Sequence, residues 1–116
     1  MSRISVEENT RHVRIEVDGV TVAESQQPRV LRERGLRPRY YLPAEDVRTE
    51  LLTPSDSSTS CPFKGAARYW SLQLGERTYP DLVWSYPAPL DERADIAGLL
   101  CFYDEEVDLF LDGQKQ

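Results

Sequence analysis

The sequence predicts a mainly β domain, a compact barrel-like or folded double sheet of short antiparallel strands with one or two short helical turns. Three observations lead there. Apolar and polar residues alternate in several short runs, such as Val13-Arg14-Ile15-Glu16-Val17. Gly, Pro and Asp punctuate those runs at close spacing. No apolar pattern of helical period is long enough for an ordinary helix, and neither a βαβ unit nor an internal repeat is present.

Taken in order, the elements follow from local chemistry. Val13, Ile15 and Val17 share one face of a strand, Asp18-Gly19 suits the positive φ angles of a tight turn, and Val20 and Val22 resume the alternation. Residues 12–24 are therefore a β-hairpin. Gln27-Pro28 breaks the pattern, and Val30-Leu31 begins a third strand or a helical turn. Arg39-Tyr40-Tyr41-Leu42 has strand composition and stops at Pro43. Pro43 to Val47 forms one helical turn, with proline first and acids beside the N-terminal dipole. Glu50-Leu51-Leu52 is another short strand, whereas Thr53 to Ser60, rich in Ser, Thr, Pro and Asp, predicts a mobile loop. Alternation returns from Ala66 to Leu74, placing Ala67, Tyr69 and Ser71 opposite Arg68, Trp70, Leu72 and Leu74. Leu82 to Tyr86 is a strand ended by Pro87, and Asp91 to Ala97 holds a helical turn. Leu99–Tyr103 and Val107–Leu111 read as a closing hairpin around Asp104-Glu105-Glu106, after which the tail frays. About eight short strands result.

Length and composition narrow the function classes. The 116 residues suit a single domain spanning 1–116, with an ordered core over about 4–112. Hydrophobic content of 40% with 29% charged residues excludes a disordered chain, and no apolar run approaches the about 20 residues of a spanning helix. Acids at Glu7 and Glu8 stand where a signal peptide would be apolar, so the expected address is cytoplasmic. A net charge of −6 argues against nucleic-acid partners, whose phosphates call for Lys and Arg. The local cluster Arg29, Arg32, Arg34, Arg37 and Arg39 reads as a solvated face in preference to an anion-binding strip. Cys61 and Cys101 belong to no C-x-x-C pair, and with the lone His12 they fall short of a zinc set, so neither a metal nor another cofactor is expected.

The densest chemistry lies in Ser60-Cys61-Pro62-Phe63-Lys64-Gly65. Pro62 extends the residue before it and Gly65 opens backbone angles closed to others, so the run predicts a rigid turn that projects Lys64 near Cys61. An ammonium beside a thiol favours the thiolate. The ordinary alternative is a small buried Cys61 with Lys64 in a surface turn. No histidine is placed to activate the thiol, which makes Lys64 the better candidate. Glu45 and Asp46 offer a general base and its neighbour, or ordinary acids at a helical N-terminus. Adjacent side chains on such a turn diverge by roughly 100°, so both cannot face one site. Most aromatics must build the core, and if Trp70 and Trp84 do so, Tyr69 and Tyr86 line a pocket more readily. Phosphate-binding glycine loops, a nucleophile elbow and a zinc-protease helix motif are all absent.

Three segments together resemble the family catalogued as domain of unknown function 427: Arg39-Tyr40-Tyr41-Leu42-Pro43-Ala44-Glu45-Asp46-Val47, Cys61-Pro62-Phe63-Lys64-Gly65-Ala66-Ala67-Arg68-Tyr69-Trp70, and Trp84-Ser85-Tyr86-Pro87 with Ile96-Ala97-Gly98 and Phe102-Tyr103. Their order and spacing cover nearly the whole chain. The resemblance implies a compact β fold similar to Mss4-like or β-tent proteins. Several of those bind zinc, but this chain lacks their paired cysteines. The family also bears a nucleotidyltransferase-type label. Its recurring polar residues fall on Arg39, Tyr41, Glu45, Asp46, Cys61, Lys64, Tyr69, Trp84 and Tyr86. The expected function is a pocket that binds, and can transform, a small anionic or carbonyl-bearing metabolite. Lys64 would supply charge or amine, Glu45 or Asp46 would move protons, and Cys61 would be nucleophile or wall. Arg39, Tyr41, Tyr69, Trp84 and Tyr86 would bind the ligand. A non-catalytic protein-interaction module is the competing class, and nucleotidyl transfer rests on the label alone. Neither a nucleic-acid nor a membrane partner is expected.

Overall fold

The computed structural model describes residues 4–8, 11–62 and 64–116, with only the backbone of Glu92. These residues form eleven strands: β1 (Ile4–Glu8), β2 (Val13–Val17), β3 (Val20–Ser25), β4 (Arg29–Glu33), β5 (Arg39–Leu42), β6 (Leu52–Cys61), β7 (Gly65–Leu74), β8 (Arg77–Ser85), β9 (Leu100–Phe102), β10 (Asp108–Leu111) and β11 (Gln114–Lys115). The strands make two antiparallel sheets, one of seven strands in the order β1-β4-β5-β9-β8-β7-β6 and one of four in the order β11-β10-β2-β3. Short 3-10 turns at Ala44–Asp46, Thr49–Leu51, Asp91–Ile96 and Asp104–Glu106 supply the only helical geometry among the described residues.

The folded double sheet of the sequence reading is therefore correct, and its barrel variant is not. Each sheet keeps two edges, β1 and β6 in one and β3 and β11 in the other, so neither closes on itself. Among the described residues no helix is long and apolar enough to cross a membrane.

Burial explains which strand sits where. In β2 the pattern is strict alternation, with Val13, Ile15 and Val17 buried, as expected of a sheet covered on one face. The central strands β5, β9 and β8 read instead as nearly unbroken apolar runs, Tyr40-Tyr41-Leu42, Leu100-Cys101-Phe102 and Leu82-Val83-Trp84, because both faces of the seven-stranded sheet are covered. One face, with Val30, Tyr40, Leu42, Val83 and Phe102, packs on the four-stranded sheet. The opposite face carries a second cluster of Ile4, Leu31, Tyr41, Ala67, Trp84, Tyr86, Ile96 and Cys101. Removing each large apolar side chain from water contributes about 1.5–3 kcal/mol, so both clusters weigh in the fold.

Four local expectations need correction. Thr53–Ser60 is not a mobile loop but most of β6, paired with β7 from Leu52 opposite Leu72 to Cys61 opposite Gly65. Its polar composition reflects an edge strand exposed on both faces, with Pro54 and an irregular register between Pro54 and Ser58 blunting the edge. Leu51 closes a 3-10 turn, and strand geometry starts only at Leu52. The closing hairpin does not form either. β9, apolar on both faces, is drawn between β5 and β8, whereas the alternating β10 joins β2 in the other sheet. Finally, Asp112-Gly113 adopts positive φ at both residues, as Asp18-Gly19 does, and folds the tail back as β11 instead of letting it fray. Val30-Leu31 is strand and not a helical turn, and β1 is a strand that the sequence pattern does not predict.

Candidate functional site

Register places a row of functional side chains on the face of the larger sheet that points away from the smaller one. Tyr41 lies opposite Cys101, Cys101 opposite Trp84, and Trp84 opposite Tyr69, and directly opposed residues of antiparallel strands project to the same side. Two residues along, the same face carries Arg39 on β5 and Tyr86 just past β8. Arg39 in turn lies opposite Leu31, so Glu33 at the end of β4 joins the row. Of these, Glu33, Arg39, Tyr69, Trp84 and Tyr86 wall a cleft of about 420 Å³ together with Lys64.

Lys64 is held by its backbone on both sides. Its N–H donates to the Cys61 carbonyl at 3.2 Å, and its own carbonyl accepts from Leu90 N–H at 2.9 Å. Gly65 next to it has φ +119°, and a Cβ there would lie 3.1 Å from Pro89 Cα, so only glycine fits. The turn thus brought to the cleft puts Lys64 Nζ 3.1 Å from Glu33 Oε1, with side-chain exposures of only 14% and 8%. The ammonium also stands 5.7 Å from the Tyr86 ring centre. Burial pushes the Tyr86 phenol well above its usual range, with a further push from neighbouring Cys61.

At the other end of the cleft, Arg39 makes a forked pair with Glu105, Nη1 to Oε1 at 2.8 Å and Nη2 to Oε2 at 3.1 Å. Its guanidinium carbon stands 5.2 Å from the Trp84 ring and 5.8 Å from the Tyr103 ring, and those rings are 4.5 Å apart. Arg37 approaches the same Glu105 oxygen at 3.8 Å. The hydrogen bonds from Arg39 bring the Glu105 carboxyl down to about 2. Asp104 beside it behaves oppositely: burial raises it to about 6, although Arg39 at 3.9 Å pulls the other way. Tyr103 is raised to about 12 by burial and by its hydrogen bond with Tyr69. Tyr69 also bonds Thr59 Oγ1 at 3.0 Å, which ties edge strand β6 to the cleft wall.

Five of the sequence-derived residues, Arg39, Lys64, Tyr69, Trp84 and Tyr86, line this one cleft. Tyr41 does not reach it. Fully buried, it accepts the Trp84 indole N–H at 3.0 Å and packs edge-on against that ring, so it positions the floor. Cys61 is half-buried and packs against the same cluster without lining the cleft. Glu45 and Asp46 lie elsewhere, because their turn follows Leu42, the end of β5 away from Arg39. Glu45 is exposed, and Asp46 accepts from Ser25 Oγ at 2.7 Å, which pins the turn to β3. Glu33 occupies the carboxylate position they were expected to fill.

The sequence does not assign Glu33, Glu105 or Tyr103 to the site, although Phe102-Tyr103 belongs to the segments that carry the family resemblance. Glu33 hid inside the arginine cluster, although its two-residue spacing from Leu31 marks it as inward-facing. Glu105 sits in the acidic run Asp104-Glu105-Glu106, where no local signal separates it from its neighbours. The arginines of the cluster are largely paired: Arg29 with Glu8, Arg32 with Glu7, and Arg37 and Arg39 with Glu105.

Residues 5–113 match the model of a family described as Domain of unknown function (DUF427). No curated protein matches the chain.

Proposed function

The chain belongs to the DUF427 family, whose description leaves its chemistry open, and from the cleft we propose that it binds a small anionic or carbonyl-bearing metabolite between Lys64 and Arg39. The observation that carries this reading is the Lys64–Glu33 pair, two charges 3.1 Å apart and almost removed from water at the cleft wall. Desolvating such a pair costs several kcal/mol per ion and offsets much of its attraction, so net stability alone gives little reason to place it at a cleft wall. A cation so placed acts on an incoming oxygen through a low local dielectric, where attraction is stronger than at an open surface. The cleft volume of about 420 Å³ lies in the usual range for small-molecule sites. Tyr69 and Tyr103, both partly exposed, supply apolar surface for the body of the ligand, backed by the buried rings of Trp84 and Tyr86. Where the ligand carries a carbonyl, Lys64 donates to its oxygen and Glu33 is the carboxylate in reach to exchange a proton with the amine. Cys61 packs beside the cleft without lining it and takes no direct part in this role.

A thermal-shift panel of small carboxylates, 2-oxo acids and phosphate monoesters tests the reading. At least one carboxylate or oxo acid is expected to raise the Tm of the wild type and not that of Lys64→Ala, with exposed Arg68→Ala on β7 responding as the wild type does. A panel silent on the wild type, or hits retained in full by Lys64→Ala, would remove the ligand site and leave the protein-interaction module as the better reading.

A further inference from the structure

The two cations of the cleft are neutralised in different ways, and the difference identifies a seat. Glu33 is buried at the end of a sheet strand, and Lys64 on its locked turn is only 14% exposed. Arg39 also lies against the Trp84 and Tyr103 rings, both on one side of it, but its hydrogen-bonding edge meets Glu105, whose side chain is 49% exposed. Glu105 comes from the short turn Asp104–Glu106 that links the two sheets, not from a strand of the cleft. Its carboxylate lies across both Nη atoms in the planar geometry an arginine fork offers a carboxylate.

We infer that Glu105 is a resident stand-in at this seat, and that the ligand is a ring-bearing monocarboxylate whose carboxylate replaces that of Glu105 on Arg39. This rests on the reading of the cleft as an anion-binding site and names its ligand class. The exchange conserves charge at Arg39, and the displaced Glu105, already half in water, needs only to turn outward. Arg37, 3.8 Å from the same oxygen, remains beside whichever carboxylate is bound. With the carboxylate at Arg39, the rest of the ligand lies between Tyr69 and Tyr103, over the buried rings of Trp84 and Tyr86, two positions on one face with Cα atoms about 7 Å apart. That length of aromatic floor, walled by Tyr69 and Tyr103, fits one flat ring system. A second oxygen on the ring would point toward Lys64. Asp104, 3.9 Å from Arg39 Nη1, and Glu33 at the far wall both disfavour a dianion, so a monocarboxylate is preferred to a phosphate.

The test uses the full chain and follows binding by calorimetry with indole-3-carboxylate, its neutral carboxamide and phenyl phosphate, in wild type, Glu105→Gln and Arg39→Lys. Glu105→Gln removes the competing charge from a half-exposed position and is expected to fold as the wild type does. Its affinity for indole-3-carboxylate should rise about fivefold, the full worth of a half-exposed ion pair. The carboxamide should gain nothing, phenyl phosphate should bind more weakly than the carboxylate, and Arg39→Lys should lose the carboxylate. Carboxylate binding to the wild type that is unchanged or weakened in Glu105→Gln overturns the displacement and leaves the anion site standing. No binding by either wild type or Glu105→Gln overturns both.

Discussion

Glu33 and Asp104 are acids of similar burial with opposite circumstances, and each makes a prediction about stability. Glu33 has Lys64 against it. Lys64→Met should therefore cost roughly 3 kcal/mol in urea unfolding, the usual result of stripping a buried ion of its partner. Adding Glu33→Gln should recover most of that loss, and failure to recover it would show that the pair is not the reason. Asp104 is raised to about 6 from an ordinary 3.8, so the folded chain holds a proton there that the unfolded chain has released. Stability from this group accordingly falls as pH rises from 3.8 to about 6, and is level above that. Glu105, lowered from 4.5 to about 2, contributes the reverse: stability present above 4.5 and lost as pH falls toward 2. Asp104→Asn should flatten the profile between pH 4 and 6 and gain on the order of 1–2 kcal/mol at pH 7. Chemical denaturation across that range reads both effects. At this scale the sequence revealed the cation and concealed its partners. Lys64 stood out from its turn, but the acids that complete the cleft come from β4 and from a turn some forty residues past Lys64, and no local pattern joins them.

Among the elements, the turn between β6 and β7 depends most on one residue. Gly65→Ala forces a side chain at φ +119° into Pro89, whereas Gly75→Ala, at φ +58°, meets nothing within 4 Å. The first should lose about 2–3 kcal/mol and the second about 1 kcal/mol, as thermal or urea unfolding would show. Equal losses would mean that the Pro89 contact does not hold the turn. Strands with a strong local pattern were legible: the hairpin over residues 12–24 is β2 and β3, because alternation and the Asp-Gly turn agree. β6 was not, since an edge strand exposed on both faces needs no apolar alternation and so resembles a loop. The partner of β9 was also hidden. Adjacent strands favour a hairpin locally, and only the burial of both faces of Leu100-Cys101-Phe102 sends that strand to the middle of the larger sheet.

For the whole molecule, the decisive feature is a seven-stranded sheet with two covered faces and a smaller sheet on only one of them. The face away from the smaller sheet gathers aromatic side chains from β5, β8 and β7, and the cleft opens there. That arrangement followed from the composition only in outline, because continuous apolar runs announce burial on both sides without saying what lies on the second. The central claim, that this face binds an anionic metabolite through Lys64, is tested most directly by the fluorescence of Trp84. Trp70, which bonds Ser85 at 3.3 Å and packs toward the other core, is replaced by Phe so that the cleft indole alone reports. Titration of this protein with 4-hydroxybenzoate, an indole-free carboxylate whose ring oxygen reaches for Lys64, should give a saturable change in Trp84 emission that disappears with Lys64→Ala in a chain whose circular dichroism is unaltered. Emission that never saturates, or saturates equally without Lys64, would contradict it.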